Sequence, residues 1–115
     1  MLPRQNRLAT DKDFARLFKS GRFFDGPGIG LKAVAAGPGV LRLGFAVGVK
    51  VAKRAVARNL IKRRLREIVR KRLPSMRTGC HLVFIAKPGA ADLEFADLEK
   101  AVDILLKKSG VIART

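Results

Sequence analysis

The sequence predicts an α+β domain, and three segments carry that prediction. Residues 53–73 repeat apolar side chains three and four positions apart, which is the spacing of one face of an α-helix. Residues 41–49 alternate apolar with small or basic side chains, as a β-strand with one buried face does. Residues 81–87, HLVFIAK, are mostly apolar and of strand length, which predicts a buried central strand. With 115 residues and no repeat or linker, the chain is expected to form one domain, 1–115.

The composition is strongly basic, and this narrows the classes of partner. Twenty-five Lys and Arg residues against nine Asp and Glu residues give a formal net charge of +16 at pH 7. Such an excess favours nucleic acid or another polyanion. No apolar run approaches the ~18 residues of a membrane span, and the first residues lack the apolar core of a signal peptide. The one cysteine, Cys80, excludes an internal disulfide and fits a reducing compartment. We therefore expect a cytoplasmic protein.

The positive charge is concentrated on the helix predicted at 53–73. Residues 50–73 hold eleven Lys and Arg residues and one acid, Glu67. The apolar stripe that would face a small core consists of Ala57, Ile61, Leu65 and Ile68. Leu60 lies about 100° from its neighbour in that stripe and is expected outside the core. The rest of the helix surface is basic, and we expect it to bind a polyanion. A merely solvated charged face and a helix lying on a membrane surface stay open as alternatives.

A further helix is predicted at 11–19, where Thr10 supplies a hydroxyl group that can cap the first turn. Its aromatic residues Phe14 and Phe18 are one helical turn apart. Composition alone favours core packing for both. The alternative is that they offer aromatic faces to unpaired nucleic-acid bases.

The remaining strands are placed by turn residues and by connection length. Residues 29–35 are predicted to form a hairpin with 41–49, and the preceding segment 23–30 is rich in turn residues and is predicted as a loop. A helix separates 41–49 from 81–87, so these two strands are predicted to be parallel in a βαβ unit.

Catalytic chemistry is missing from the sequence. His81 is the only histidine and starts an apolar strand, so a structural role is favoured. Cys80 lacks further ligands at metal-site spacing. Most of the acidic residues lie on or beside an amphipathic helix predicted at 93–108, and none form a cluster suited to hold metal ions for phosphodiester cleavage. We therefore expect no catalytic side chain, no metal site and no cofactor bound by the protein itself.

Residues 42–67, RLGFAVGVKVAKRAVARNLIKRRLRE, resemble the signature region of the bacterial ribonuclease P protein subunit. In that family a Gly-rich basic strand and a Lys-containing turn precede an Arg-Asn helix. The DFARLFKSG helix, the apolar strand that runs into Lys87 and Pro88, and the final amphipathic helix follow the same order. The resemblance thus covers nearly the whole chain. This sequence departs from the signature at Leu60, where the family has its second Arg.

The resemblance implies a fold more complete than the residue patterns resolve. It implies a single-domain α-β sandwich in the order α-β-β-β-α-β-α, like domain 2 of ribosomal protein S5. The helices would pack on a four-stranded sheet, and the βαβ connection would be a left-handed crossover, which is the rare hand. One strand of this fold is absent from the patterns described above.

The resemblance also implies a function. The protein would assist a catalytic RNA that removes the 5′ leader of precursor tRNA by endonucleolytic cleavage, with Mg²⁺ held mainly by the RNA. The residues that would bind the catalytic RNA are Lys50, Lys53, Arg54, Arg58, Asn59, Lys62, Arg63 and Arg66. The single-stranded leader would lie between the first helix and the sheet, in contact with Phe14, Phe18, Lys32 and Arg42. Lys32 stands where the family tends to have an aromatic residue. Ribonuclease P RNA and precursor tRNA would be the partners, with no membrane and no DNA.

Two other functions stay open on the sequence. One is a structural RNA-binding protein of ribosomal type with no part in catalysis, which composition cannot distinguish and which only the 42–67 signature disfavours. The other is a DNA-binding helix protein, and it is weaker because no helix-turn-helix spacing precedes the basic helix.

Overall fold

The computed structural model describes residues 2–113. The elements follow in the order α1 (Asp11–Ser20), β1 (Arg22–Asp25), β2 (Ile29–Ala35), β3 (Leu41–Ala46), α2 (Ala55–Arg72), β4 (Cys80–Ala86) and α3 (Phe95–Lys108). Single turns of 3-10 helix occupy 4–6, 73–75 and 90–92. This is the α-β-β-β-α-β-α order that the family resemblance implied.

The four strands form one mixed sheet in the order β1-β2-β4-β3. β4 is antiparallel to β2 and parallel to β3, so the predicted βαβ unit is confirmed. The hairpin predicted between 29–35 and 41–49 is wrong, because β4 lies between these two strands. β4 is the most apolar strand, and the central position is the one in which both of its faces are covered.

The strands β1 and β3 differ from the sequence-based expectation, and β4 runs from Cys80 to Ala86 rather than from 81 to 87. β1 covers most of the first half of the segment 23–30, which was predicted as a loop, and Arg22 and Asp25 begin and end a ladder with β2. An edge strand of four residues carries too little alternation to be recognised by its own pattern. β3 ends at Ala46 rather than at 49, and Val49 lies in an exposed turn that follows it.

Four helix boundaries also differ slightly, and the first is that α1 ends at Ser20 rather than at 19. α2 starts at Ala55, two residues later than predicted, and α3 starts at Phe95 rather than at 93. α2 ends at Arg72, just before the turn that contains Pro74. The predicted cap of α1 is confirmed, since Thr10 Oγ1 accepts a hydrogen bond from the backbone N–H of Asp13 at 3.2 Å.

One side of the sheet, which we call the closed face, is covered by both α2 and α3. The buried residues of α2 are Ile61, Leu65, Ile68 and Val69, and those of α3 are Leu98, Ala101, Val102, Leu105 and Leu106. They pack on a sheet layer that includes Leu31, Leu43, Leu82 and Phe84. The predicted apolar stripe of α2 is therefore confirmed, with Ala57 only half-buried at its start and Val69 added at its end.

The other side, which we call the open face, is covered by α1 alone. A small second cluster of Leu8, Leu17 and Val83 holds α1 on the sheet. The strand register places Lys32, Val83 and Gly44 side by side on neighbouring strands of this face. Two residues further along, Val34, His81 and Arg42 form the next row.

The N-terminal segment covers the edge of β3. The backbone N–H of Leu8 donates to the carbonyl of Leu43 at 2.9 Å, and Asn6 Nδ2 donates to the carbonyl of Leu41 at 2.8 Å. These bonds satisfy groups that an exposed edge strand would leave unpaired. They also place Arg7 beside the basic helix α2.

Candidate nucleic-acid interface

The solvent side of α2 is neutralised at its C-terminal end. Arg72 Nε and Nη2 donate to the carboxylate of Asp103 at 2.6 and 3.0 Å, and Arg72 also pairs with Glu99. Arg70 donates to Glu67 at 2.8 Å, and this hydrogen bond is the main reason why the pKa of Glu67 is lowered. The positive charges of Arg70 and Arg72 are thus compensated by acidic side chains of the protein itself.

The N-terminal part of α2 and the turn before it keep their charge available. Within residues 2–113, no hydrogen bond or ion pair engages the side chains of Lys50, Lys53, Arg54, Asn59, Lys62 and Arg63. These six residues belong to the set expected to bind the catalytic RNA. Because their charged or amide groups are not paired inside the protein, they can meet phosphates without first breaking a salt bridge.

Arg58 differs from its neighbours in the predicted set. Its Nη1 donates to the carbonyls of Ala52 at 3.0 Å and Lys53 at 2.7 Å, so its guanidinium group faces the preceding loop. Arg58 therefore fastens the turn that carries Lys53 and Arg54 onto the start of α2. We assign it a positioning role within the basic surface.

Two cations of α2 lie on the side of the helix that borders β3. Lys62 and Arg66 are one turn apart and line a cleft of about 460 Å³, together with Arg7 from the N-terminal segment. The guanidinium carbon of Arg66 lies 5.9 Å from the centre of the Phe45 ring, within the range of a cation–π contact. We call this site the β3 cleft; its lining residues are Leu2, Arg7, Leu8, Phe14, Leu43, Gly44, Phe45, Lys62 and Arg66.

Phe14 forms the aromatic wall of the β3 cleft, and Gly44 makes room for its ring. A methyl group on Gly44 would lie 2.6 Å from Cε1 and Cζ of Phe14, which is closer than side-chain carbons pack. Phe14 is half-buried against the cluster around Leu17. It therefore contributes to packing and also presents part of its ring to the cleft.

Phe18 lies one helical turn beyond Phe14 on the same side of α1, and it contacts Lys32 of β2 rather than Gly44 of β3. Its side chain is 43% exposed. Lys32 Nζ lies 5.6 Å from the centre of the Phe18 ring and donates to the Phe18 carbonyl at 2.7 Å. The structure therefore brings together two of the predicted leader-binding residues, Phe18 and Lys32, at a place distinct from the β3 cleft.

Phe23 joins this second group, and the sequence analysis missed it. It is 50% exposed, pairs with Lys32 in the β1–β2 register, and covers Gly30 with its ring. We call Phe18, Phe23 and Lys32 the aromatic edge. The signal that could have identified Phe23 is the pair Phe23-Phe24 before a Gly-Pro turn, since a hairpin there places one Phe on each face of the sheet.

Arg42, the remaining predicted leader-binding residue, lies apart from both aromatic sites. It belongs to the row of His81, two residues along the strands from Lys32, and lines a separate cavity with Arg16 of α1. The four predicted leader residues thus share the open face but occupy three places on it.

Between residues 2 and 113, no group of three or more His, Cys, Asp or Glu side chains is arranged to hold a metal ion. No helix in that range is long and apolar enough to cross a membrane.

Comparison with known proteins places this geometry in one family. The sequence matches the Ribonuclease P family over residues 2–110. The ribonuclease P protein component of Roseiflexus castenholzii is 36% identical over 112 residues, covering 96% of this chain and 91% of that protein. The ribonuclease P protein component of Picosynechococcus sp. is 31% identical over 110 residues, covering 96% and 95%.

Solved structures agree with these sequence matches. The RNase P protein from Thermotoga maritima superposes with a TM-score of 0.80 at 27% identity, over 89% of this chain and 96% of that one. The Staphylococcus aureus RNase P protein also gives a TM-score of 0.80, at 24% identity, over 94% and 98%. The predicted α+β fold class is confirmed by both. Since the family match spans nearly all of the described residues, the chain belongs to the ribonuclease P protein family.

Proposed function

We propose that this chain is the protein subunit of a bacterial ribonuclease P holoenzyme, holding the catalytic RNA on α2 and the 5′ leader of precursor tRNA on the open face. Its family gives it a role in ribonuclease P. The observation that carries the finer assignment is the β3 cleft, whose lining combines the ring of Phe14 with the cations Lys62 and Arg66. An aromatic surface next to phosphate-binding cations is what unpaired RNA requires.

The catalytic RNA would bind the N-terminal part of α2 and the turn before it. A folded RNA presents closely spaced phosphates, and cations without intramolecular partners can neutralise them at little cost. Arg58 holds this surface in one conformation through its two hydrogen bonds to the loop. The paired residues at the C-terminal end of α2, such as Arg72, would contribute less because their charge is already compensated.

The leader would cross the open face beside α1. A single strand alternates bases, which stack on aromatic rings, with phosphates, which bind cations. The aromatic edge offers Phe18, Phe23 and Lys32 at β1 and β2, and Phe14 offers part of its ring at β3. Across the sheet, three strand spacings of about 4.8 Å separate β1 from β3, which leaves room for a short run of nucleotides.

Cleavage itself would belong to the RNA. This chain binds and positions the substrate, and Mg²⁺ would be held mainly by RNA. The described residues contain no cluster of three or more His, Cys, Asp or Glu side chains that could hold a metal ion.

A reconstituted cleavage assay tests the proposal. Ribonuclease P RNA would be incubated with precursor tRNA at low Mg²⁺, with and without the protein. We expect the protein to stimulate removal of the leader. The variant Lys62→Ala with Arg63→Ala should stimulate less than the control Arg77→Ala with Lys100→Ala, which removes the same charge away from the proposed surface. A wild-type protein that binds RNA but gives no stimulation would instead support a structural role of ribosomal type.

A further inference from the structure

A second cavity on the open face has no role in the function proposed above. It is shallow, measures about 520 Å³, and lies between the first half of α1 and the end of the sheet where β2 and β3 are connected. Its charged or polar lining side chains are Asp13, Arg16, Arg42 and His81. It shares none of its lining residues with the β3 cleft.

His81 is the unexpected member of this lining. It is only 8% exposed, and its Nδ1 is fully enclosed without a hydrogen-bond partner among the described residues. Buried polar atoms without a partner are rare because each loses its hydration. The sequence favoured a structural role for His81, but the ring makes no hydrogen bond that would explain a histidine here rather than an apolar residue.

The groups that face His81 come from three neighbouring elements, and two of these elements contribute charged side chains. α1 contributes Asp13 and Arg16, β3 contributes Arg42, and β2 contributes the apolar Val34. Burial lowers the pKa of His81, Asp13 raises it, and the two arginines lower it further. With the imidazole neutral, the four charged or polar side chains carry a net charge of +1.

Both arginines have side-chain N–H groups that make no hydrogen bond among the described residues. Arg16 Nη2 donates to the carbonyl of Ala35 at 2.7 Å, which orients the guanidinium group over the cavity and leaves its other N–H groups unused. The side chain of Arg42 makes no hydrogen bond or ion pair within residues 2–113. Two guanidinium groups that line the same cavity can both donate charge-assisted hydrogen bonds to a phosphate there.

We propose that this cavity binds a phosphate group of single-stranded RNA between Arg16 and Arg42, and that His81 takes up a proton from solvent as the phosphate enters. The positive charges of Arg16 and Arg42 disfavour protonation of His81, and a bound anion would compensate these charges. A protonated ring nitrogen could then donate a hydrogen bond to a phosphate oxygen. The identification of the phosphate with RNA rests on the proposed function, whereas the anion site itself does not.

The experiment uses the fact that His81 is the only histidine of the chain, so its ring protons give one unambiguous NMR signal. The signal would be titrated against pH in the protein alone, at constant ionic strength, in chloride, in sulfate, and with pentauridylate. Sulfate and the phosphodiester keep their charge between pH 5 and 8. We expect both to raise the titration midpoint of His81 by about one pH unit relative to chloride.

Two variants make the result specific. Arg16→Gln with Arg42→Gln should abolish the rise, whereas Lys12→Gln with Lys19→Gln, which removes the same charge from exposed positions of α1, should keep it. As a second measurement, wild-type protein should bind sulfate about tenfold more tightly at pH 5 than at pH 8, since one pKa unit corresponds to a factor of ten. His81→Phe should lose that dependence.

The outcomes separate the two parts of the inference. Equal midpoints in chloride and sulfate would overturn the anion site, and so would a rise that persists without the arginines. A rise with sulfate but not with pentauridylate would overturn the assignment to RNA. Neither ribonuclease P RNA nor tRNA is present, so a negative result here would leave the proposed function to be decided by the cleavage assay.

Discussion

The closed and open faces of the sheet are covered to very different extents. On the closed face, α2 and α3 bury a continuous apolar layer in which Leu65 and Phe84 are fully enclosed. On the open face, the ten residues of α1 fully bury Leu17 but leave Phe18 and Phe23 about half exposed. Since buried apolar area is the main source of stability, the closed face holds the fold together. The open face retains the aromatic surface that a ligand can cover.

The largest effect that follows from this comparison is on stability. Phe84→Ala should lower the free energy of unfolding by about 3–5 kcal/mol, because it removes a buried ring that stacks on Phe45 with the ring centres 6.1 Å apart. Phe18→Ala should lower it by less than about 1 kcal/mol, since much of that ring is already in water. Urea unfolding measures both values. Equal losses of unfolding free energy in the two variants would show that the two faces contribute equally to stability.

Binding should show the reverse order. Phe18→Ala and Phe23→Ala should each weaken holoenzyme affinity for precursor tRNA with a long leader by about 1–3 kcal/mol, the contribution of stacking one base. Affinity for mature tRNA should hardly change. Phe95→Ala is the matched control, because Phe95 is 39% exposed but lies at the start of α3, away from the open face.

Phe14→Ala sharpens the same comparison, because Phe14 both packs on Gly44 and lines the β3 cleft. It should cost stability as well as leader affinity. If the variants of Phe14, Phe18 and Phe23 all melt early, and none distinguishes precursor from mature tRNA, the open face is a second core rather than a binding surface.

The N-terminal part of α2 should govern the salt dependence of RNA binding. Removing two phosphate contacts with Lys62→Ala and Arg63→Ala should reduce the slope of log K against log salt by about 1.4–1.8. Arg58 is left in place, since its side chain holds the preceding loop. Filter binding at several salt concentrations measures the slope. The control variant Arg77→Ala with Lys100→Ala should leave the slope unchanged. If the control reduces the slope as much as the α2 variant does, binding depends on net charge alone.

Leu60→Arg tests whether the family pattern can be restored. Leu60 is 41% exposed, as expected from its place outside the apolar stripe, so stability should change by no more than about 0.5 kcal/mol. One added cation should steepen the salt slope by about 0.7–0.9 and tighten RNA binding. Leu60→Gln separates the charge from the loss of an apolar side chain. Tighter binding by both variants would show that the charge is not the cause.

The smallest expected effect is the pH dependence of stability that His81 causes. Because burial lowers the pKa of His81 in the folded protein, the unfolded chain binds the proton more readily. The contribution of His81 is therefore fully present above its ordinary pKa of 6.5 and is lost as the pH falls from there through the folded-state pKa. Melting temperatures between pH 8 and 5 should fall less in His81→Phe than in wild type. Parallel curves would contradict the lowered pKa.

The site could be predicted from the sequence only where its residues lie on one element. The basic surface of α2 is local, because its residues share a helix whose phase the apolar stripe reveals. The open face is assembled from α1, β1, β2, β3 and β4, and no local pattern shows how these elements meet. Phe23 was missed for this reason, and Arg42 was grouped with Phe14 although the two line different cavities.

The sequence by itself determined the helices, the parallel pairing of β3 with β4, and the polyanionic class of partner, because periodicity, connection length and charge are local properties of a chain. The tertiary structure alone decided that β4 separates β2 from β3, which replaced the predicted hairpin. The physical reason is that the most apolar strand loses least by occupying the centre, where neighbours on both sides satisfy its backbone and helices cover both faces. That choice places Val83 between Lys32 and Gly44, beneath α1, and so creates the separate aromatic edge and β3 cleft on its two sides.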